Sequence, residues 1–330
     1  MNVASVRRML GMRARTATCI LLLGFALGAS TRALAQPLAA DADVDTTIEQ
    51  PTPKPAPYSL PFQLRPAAAG TVLRLDNALA FYEDPTTKKS GSTYVPMLLF
   101  SYKLTDNLAP LVRLGVVQNS APNNTSGFGF LNPVLGATYA LKLPSDFRLA
   151  FFLGVALPVG SGGGDHPDAD QKLARNAGIL ARSAMDNAMF AVNDLVIFPG
   201  VDFAFVSHGF TAQVEATLLE LTRVRGDKDQ PDKRRTNLTA GLHLGYFFIP
   251  ELSAAVELRH QRWLSTPKAI AADKTDTLRD TTTLAFGPRV HIPLAKNVWL
   301  RPSLALVLPL DDPMKKSSYK VVQLDLPLSF

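Results

Sequence analysis

Cysteine is almost missing from this chain. Its 330 residues hold one, Cys19, inside a stretch that reads as a removable leader. Without a second cysteine there is no internal disulfide, and once the leader is gone there is no thiolate metal site and no cysteine nucleophile. Cys19 also precedes the leader's apolar run instead of following it, which argues against a lipid-modified cysteine. Long apolar runs are missing too. Beyond residue 35 nothing reaches the 18 or more continuous apolar residues of a spanning helix. Nor does the body carry a basic excess. The formal net charge is +6, but the first 35 residues hold five Arg and no acid, which leaves +1 for the rest. Charge therefore gives no case for nucleic acid as a partner.

What is present begins with that leader. Arg7, Arg8, Arg13 and Arg15 precede the apolar stretch "ATCILLLGFALGA" (17–29), and "ALA" (33–35) follows. This is the basic, apolar and cleavable order of a secretory signal peptide, with cleavage expected after Ala35. Residues 36–70 contain seven prolines and few bulky apolar side chains. Such a stretch has little to bury, so an extended periplasmic tail is expected. Residues 71–330 remain as one folded domain.

From Thr71 onward the chain breaks into alternating segments: 71–83, 93–104, 108–118, 128–142, 147–158, 195–206, 210–222, 237–248, 252–264, 280–292, 297–309 and 319–330. Alternation gives a strand one apolar and one polar face. The connections alternate as well. Those at 84–92, 119–127, 159–194, 223–236, 265–279 and 310–318 are long. Those between them are tight: "TDN", "PSD", "SHG", "PE" and "AKN". Long loops on one rim and short turns on the other predict an all-β fold, a transmembrane antiparallel β-barrel of about 12 strands with short periplasmic turns and long extracellular loops. An even count puts both barrel ends on the short-turn side.

Individual strands support the two faces. In 237–248, Leu238, Leu242, Leu244, Tyr246 and Phe248 point to lipid, and Thr239, Gly241, His243 and Gly245 point inward. Aromatics such as Tyr94, Tyr102, Tyr139, Phe210 and Trp299 sit near segment ends, where interfacial girdles belong. Prolines at 96, 110, 133, 199, 288, 302 and 327 fall inside strands and each removes a ladder donor. Bulges or kinks are expected there.

The last segment, "VVQLDLPLSF", alternates to the terminal Phe330. It resembles the final strand of bacterial outer-membrane proteins, which the barrel-assembly machinery recognises, so Phe330 is assigned as the assembly signal. The phrases "FLNPVLGATYAL", "FRLAFFLGVALPVGSG" and "LAFGPRVHIPLAKNVWLRPSLALVL" resemble a family of outer-membrane transporters grouped under the name "meta-pathway of phenol degradation". The resemblance covers about 128–330. It implies passive uptake of small, often aromatic or hydrophobic compounds across the outer membrane of a Gram-negative bacterium, after Sec export.

Catalytic, cofactor and metal motifs do not assemble. Ser207-His208 sits in a tight turn with no orienting acid in the sequence around it, and interior His243 and His291 read as polar filling. Asp165, Asp168 and Asp170 lack the turn Gly and final Glu of a calcium loop. "LPVGSGGG" lacks the Lys-Ser/Thr of a phosphate loop. The inward charges say more. They comprise the cations Arg74, Lys103, Arg113, Arg148, Arg259, Arg289 and Arg301 and the acids Asp76, Asp202, Glu215, Glu257 and Asp325. Strand neighbours put Asp325 between Arg301 and Arg74/Asp76, and Glu257 beside Arg289. These groups form either a salt-bridged filling or a polar path lined by both signs, and a narrow, partly filled path is expected.

Loop 159–194 carries a helix-prone insertion, 165–192, with Asp168 as N-cap and Leu173, Ala177, Leu180, Ala184 and Ala188 at helical spacing. It is expected either to plug the lumen or to shield the outer rim. The charged loop 223–236 is expected to face solvent and to meet lipopolysaccharide. Three function classes stay open: a channel for a small-molecule solute, a sealed barrel that displays its loops and, weakest because no catalytic constellation is found, an outer-membrane lipid hydrolase. Lipid, lipopolysaccharide and the assembly machinery complete the expected partners.

Overall fold

The computed structural model describes residues 57–227, 232–275 and 277–330. The leader, Cys19 and the tail up to residue 56 lie outside these. The strands are β1 (Val72–Glu83), β2 (Ser90–Ser101), β3 (Leu108–Ser120), β4 (Ser126–Phe130), β5 (Val134–Lys142), β6 (Phe147–Ala156), β7 (Asp194–Ser207) and β8 (Phe210–Arg223). They continue as β9 (Arg234–Ile249), β10 (Leu252–Trp263), β11 (Asp280–Val290), β12 (Ile292–Ala295), β13 (Val298–Leu300), β14 (Ser303–Pro309) and β15 (Lys320–Ser329). Three helices, α1 (Ala169–Ala181), α2 (Asn187–Phe190) and α3 (Lys268–Ala272), lie in long connections. Every strand pairs antiparallel with its neighbours, and β15 returns to β1 from Val72↔Ser329 to Phe81↔Lys320. The sheet is a closed barrel of 12 strands, because three of them are each split in two: β4 with β5, β11 with β12, and β13 with β14.

Two of those splits come from proline. Pro133 and Pro302 lack the N–H that would continue the ladder. The chain is out of strand geometry at 131–133 and at 301–302. Pro96, Pro199 and Pro288 coincide with gaps in the β2–β3, β7–β8 and β11–β14 registers. Pro110 and Pro327 are tolerated within paired strands, opposite Ala137 and Arg74. The proline kinks divide strands without changing their number.

The predicted faces hold in the structure. Leu242, Leu244, Tyr246 and Phe248 of β9 are exposed on the outer wall, while Thr239 and His243 are buried. On β10, Leu252, Val256 and Leu258 face out, and Ser253, Glu257, Arg259 and Gln261 face in. A wall apolar outside and hydrogen-bonded all round satisfies a bilayer, which offers no partners to a free strand edge. The short rim is as tight as expected. His208 and Gly209 both take positive φ, 50° and 82°, as a two-residue hairpin turn of this twist needs.

Inside, the wall changes character along its height. Toward the long-loop rim the inward side chains are apolar: Ala80, Val95, Val117, Phe198, Leu219 and Val321. Loop 157–193 folds into this end. Asp168 caps α1 through a bond from Gln171 N at 2.8 Å. The buried stripe of α1 is Ala174, Gly178 and Ala181, one residue out of phase with the expected Leu173 stripe, since Leu173 is exposed. Small residues win that face because the helix lies against the wall: a Cβ on Gly127 would stand 2.0 Å from the Asp170 carbonyl oxygen. Met189 and Phe190 then join the apolar cluster. The insertion is thus core, not a rim shield.

Candidate functional site

The other half of the lumen is charged, and the sequence-predicted residues meet there. Asp325 accepts from Arg74 Nε at 2.6 Å and from Arg289 Nη2 at 2.7 Å. Glu257 accepts from Arg259 Nε at 2.6 Å, and Arg259 continues to Gln323 Oε1 at 2.9 Å. Asp202 and Glu215 stand opposite each other on β7 and β8. Two expected pairings are corrected. Arg301 does not reach Asp325. Its backbone carbonyl accepts from Arg289 Nη1 at 2.6 Å, and its guanidinium lies near Trp299. Glu257 is beside Arg259, two residues along the same face of β10, and not beside Arg289. Lys103 leaves the lumen altogether and pairs with Asp106 in a turn at 2.7 Å.

The largest correction concerns the expected tail. Its described part, 57–70, runs inside the barrel. Ser59 N donates to Thr211 Oγ1 at 3.0 Å. Phe62 N and Gln63 N donate to the Glu257 carboxylate at 2.8 and 3.1 Å. Arg65 N donates to Glu215 Oε2 at 2.6 Å, and its side chain lies 3.1 Å from Glu215 Oε1 and 3.5 Å from Asp202 Oδ2. In the other direction the Phe62 carbonyl accepts from Gln323 Nε2 at 2.9 Å and from Arg74. The Pro61 carbonyl accepts from Arg289 at 3.2 Å, and the Arg65 carbonyl from Gln213 Nε2 at 2.5 Å. Proline content misled the sequence reading. The segment belongs to no helix or strand and bends at residues 62–64 and 67–68, and the lumen wall supplies the hydrogen bonds that water would otherwise give.

The two intrusions touch. Gln63 Nε2 donates to the Arg182 carbonyl at 3.0 Å and to Asp186 Oδ2 at 2.8 Å. Arg182, just beyond α1, is 1 % exposed. It forks onto both Asp76 oxygens at 2.9 and 2.8 Å and reaches Asp186 through Nε at 2.8 Å. Arg113 Nη1 approaches Asp186 Oδ1 at 2.9 Å. Burial alone would raise the Asp186 carboxyl, but Arg113 and Arg182 outweigh it and hold the group well below the ordinary carboxylate range. Where the intrusions meet, beside Leu64, Met185 and Thr217, the remaining cavity is about 40 Å³, room for a water or two.

Toward the short-turn rim the lumen opens into a vestibule of about 1350 Å³. Arg148 lies over the Tyr58 ring at 4.8 Å from its centre, and Arg301 over Trp299 at 5.7 Å. His291 also lines it and bonds Ser253 Oγ at 2.8 Å, while His243 Nδ1 is 3.8 Å from Glu257, deeper in. Ser207, His208 and Asp146 gather at the same rim. Ser207 Oγ donates to Asp146 at 2.6 Å and meets His208 Nδ1 at 2.8 Å. A hydrolytic triad needs its acid on the histidine. Here the acid holds the serine, so the serine is not an activated nucleophile.

No protein-family model and no curated protein matches the chain. Solved structures do resemble it. The COG4313 outer membrane channel from Pseudomonas putida F1 aligns with TM-score 0.48 and 15 % identity over 86 % of this chain and 100 % of that one. The NanC porin aligns with TM-score 0.45 and 9 % identity over 78 % and 98 %. The translocator domain of the autotransporter NalP from Neisseria meningitidis aligns with TM-score 0.43 and 11 % identity over 82 % and 90 %. Likeness of this degree says nothing of what this chain binds.

Proposed function

We propose that the protein is a gated channel of the bacterial outer membrane that passes small molecules and is closed at rest by its own residues 57–70. The observation that carries this reading is the nature of the filling. The segment belongs to no strand, enters from an open vestibule, and is held mainly by hydrogen bonds that a solvated lumen can exchange. The vestibule's aromatic and guanidinium lining, with Tyr58 under Arg148 and Trp299 under Arg301, together with the apolar upper wall, supports an aromatic or amphipathic solute, the class that the family resemblance implies. Lys233 and Arg234 are exposed at the outer rim and are the groups of loop 223–236 that suit lipopolysaccharide phosphates. A leader for Sec export and a last strand read by the assembly machinery complete this account.

A second reading, a sealed display barrel, is favoured by one observation: Met189 and Phe190 pack with Val117, Phe198 and Leu219 as a core does. Planar-bilayer recording separates the two. The channel reading expects small, flickering currents from the full protein and a stepwise larger current when Arg65→Ala loosens the segment by removing the guanidinium contacts to Glu215 and Asp202. Silence from both proteins, each shown to be folded by heat-modifiable migration, would leave the display barrel.

A further inference from the structure

The charged half of the lumen does more than neutralise itself. Its groups are spent on a peptide backbone, and in both senses: carboxylates take N–H groups and cationic or amide side chains take carbonyls. Glu257 receives the N–H of Phe62 and of Gln63, and Glu215 receives that of Arg65. Gln323 and Arg289 return bonds to the carbonyls of Phe62 and Pro61, and Gln213 to that of Arg65. A filling that served only to balance charge would need none of these main-chain bonds.

The wall is also shaped for the side chains that hang from this backbone. Three inward positions on β7 and β9 are glycine. A Cβ on Gly245 would stand 2.1 Å from Ser59 Oγ, one on Gly241 2.4 Å from a Leu64 methyl, and one on Gly200 2.5 Å from the Arg65 guanidinium. A side chain at any of the three would have to displace the group seated there. The three glycines are hollows that seat Ser59, Leu64 and Arg65 in order. Prolines at 57, 61 and 66 each fix φ, which leaves less backbone freedom to lose when the segment is seated.

We propose that the inner wall formed by β7 to β11 and β15 is a binding site for a short oligopeptide, which the chain's own residues 58–66 occupy in cis and which takes a free peptide of the same kind in trans. The ligand class is a short proline-bearing peptide with an apolar residue followed by arginine, as in Leu64-Arg65. The site rests on lumen geometry and not on conduction. Tethering puts the cis copy at high effective concentration, so a free peptide competes poorly until the tethered one is weakened.

The test uses the full chain carrying Phe62→Ala and Arg65→Ala, purified in detergent, with the fluorescently labelled nonapeptide YSLPFQLRP as probe. Anisotropy is expected to show binding at least tenfold tighter to this variant than to the wild type. Adding Glu215→Gln and Glu257→Gln on the wall is expected to weaken that binding at least tenfold, and a scrambled nonapeptide is expected not to bind. If the double variant does not assemble, Arg65→Ala alone carries the same comparison. Equal binding of the native and scrambled peptides, no binding by a heat-modifiable variant, or indifference to the wall substitutions overturns the proposal. Peptide binding without current removes the channel reading and keeps this site. Current that opens in Arg65→Ala without peptide binding does the reverse.

Discussion

The side-chain amide of Gln63 donates to the Asp186 carboxylate at 2.8 Å, although one residue enters the barrel from the short-turn rim and the other from the long-loop rim. Asp186 is the single acid that Arg113, Arg182 and Gln63 share. Asp186→Asn removes the charge with the shape kept and leaves Arg113 with no acid within pairing distance among the described residues. Breaking one side of a buried pair costs about 3–5 kcal/mol, so a lower midpoint in chemical denaturation is expected, together with higher conductance. The sign of any pH effect follows from the depressed carboxyl. Such a group contributes its stability fully above the ordinary carboxylate pKa and loses it as pH falls through the lower folded value. Between pH 5 and 8 it stays ionised in both states. The gap between wild type and D186N is therefore expected to be equal at both ends of that range, and a gap that shrinks at pH 5 would place the titration elsewhere.

Gly245→Val tests whether the lumen segment can be expelled without touching it. The new side chain would claim the space of Ser59 Oγ, where even a Cβ stands too close at 2.1 Å. Gly245 pairs with Thr211 and Ala255 in the wall, and β-branched residues suit strands, so the barrel is expected to fold. Protease added at the short-turn face is expected to cut near Pro57 to Pro66 in the variant and not in the wild type. Equal protection would show that the segment stays seated.

The barrel was legible in the sequence because alternation and the long-short rhythm of connections are period-2 and length signals, and both are local. The two apolar and polar faces of 237–248 came through for the same reason. What failed was long-range. Proline-rich residues 57–70 looked like a tail because nothing nearby could satisfy their backbone. The partners, Glu215 and Glu257, lie some 150 and 195 residues away. A signal was present nonetheless: inward Gly241 and Gly245 leave hollows that a self-filled lumen would not need. Asp325 was expected to pair with Arg74, which it does, and with Arg301, which gives way to Arg289, while Glu257 takes Arg259 and not Arg289, because strand adjacency alone cannot rank inward arginines by direction.

Phe330 is exposed at the wall's lower edge, with its N–H bonded to the Thr71 carbonyl at 3.0 Å. That single bond extends the β1–β15 seam by one step, so its loss costs the folded barrel only about 1 kcal/mol. Deleting Phe330 is nevertheless expected to reduce assembly in cells several-fold, and far more than Phe210→Ala does. In vitro refolding into detergent is expected to be nearly unchanged. A matching loss in vitro would make Phe330 a structural residue and not a recognition mark.

Loop 223–236 was expected to project outward, and its Val224 and Arg225 do not. Arg225 Nη1 donates to the carbonyls of Pro158 at 2.7 Å, Val192 at 3.2 Å and Gly160 at 3.3 Å, the two feet of the helical insertion. The backbone N–H groups of Val224 and Arg225 add bonds to the Asn193 carbonyl. One cation thus fixes where the loop leaves β6 and returns to β7, while exposed Lys233 and Arg234 on the same connection touch solvent. Hydrogen bonds to a charged donor contribute about 1.5–3 kcal/mol each at best, and these three share one nitrogen, so Arg225→Ala is expected to cost about 2–3 kcal/mol. Hydrogen exchange across 165–192 is expected to speed up in that variant, with the strands β6 and β7 unchanged. K233A and R234A together are expected to leave exchange as it is and to weaken retention on lipopolysaccharide. If Arg225→Ala leaves exchange untouched, the insertion is held by Met189, Phe190 and the ion pairs of Arg182 and Asp186, and the anchor assigned to Arg225 is not one.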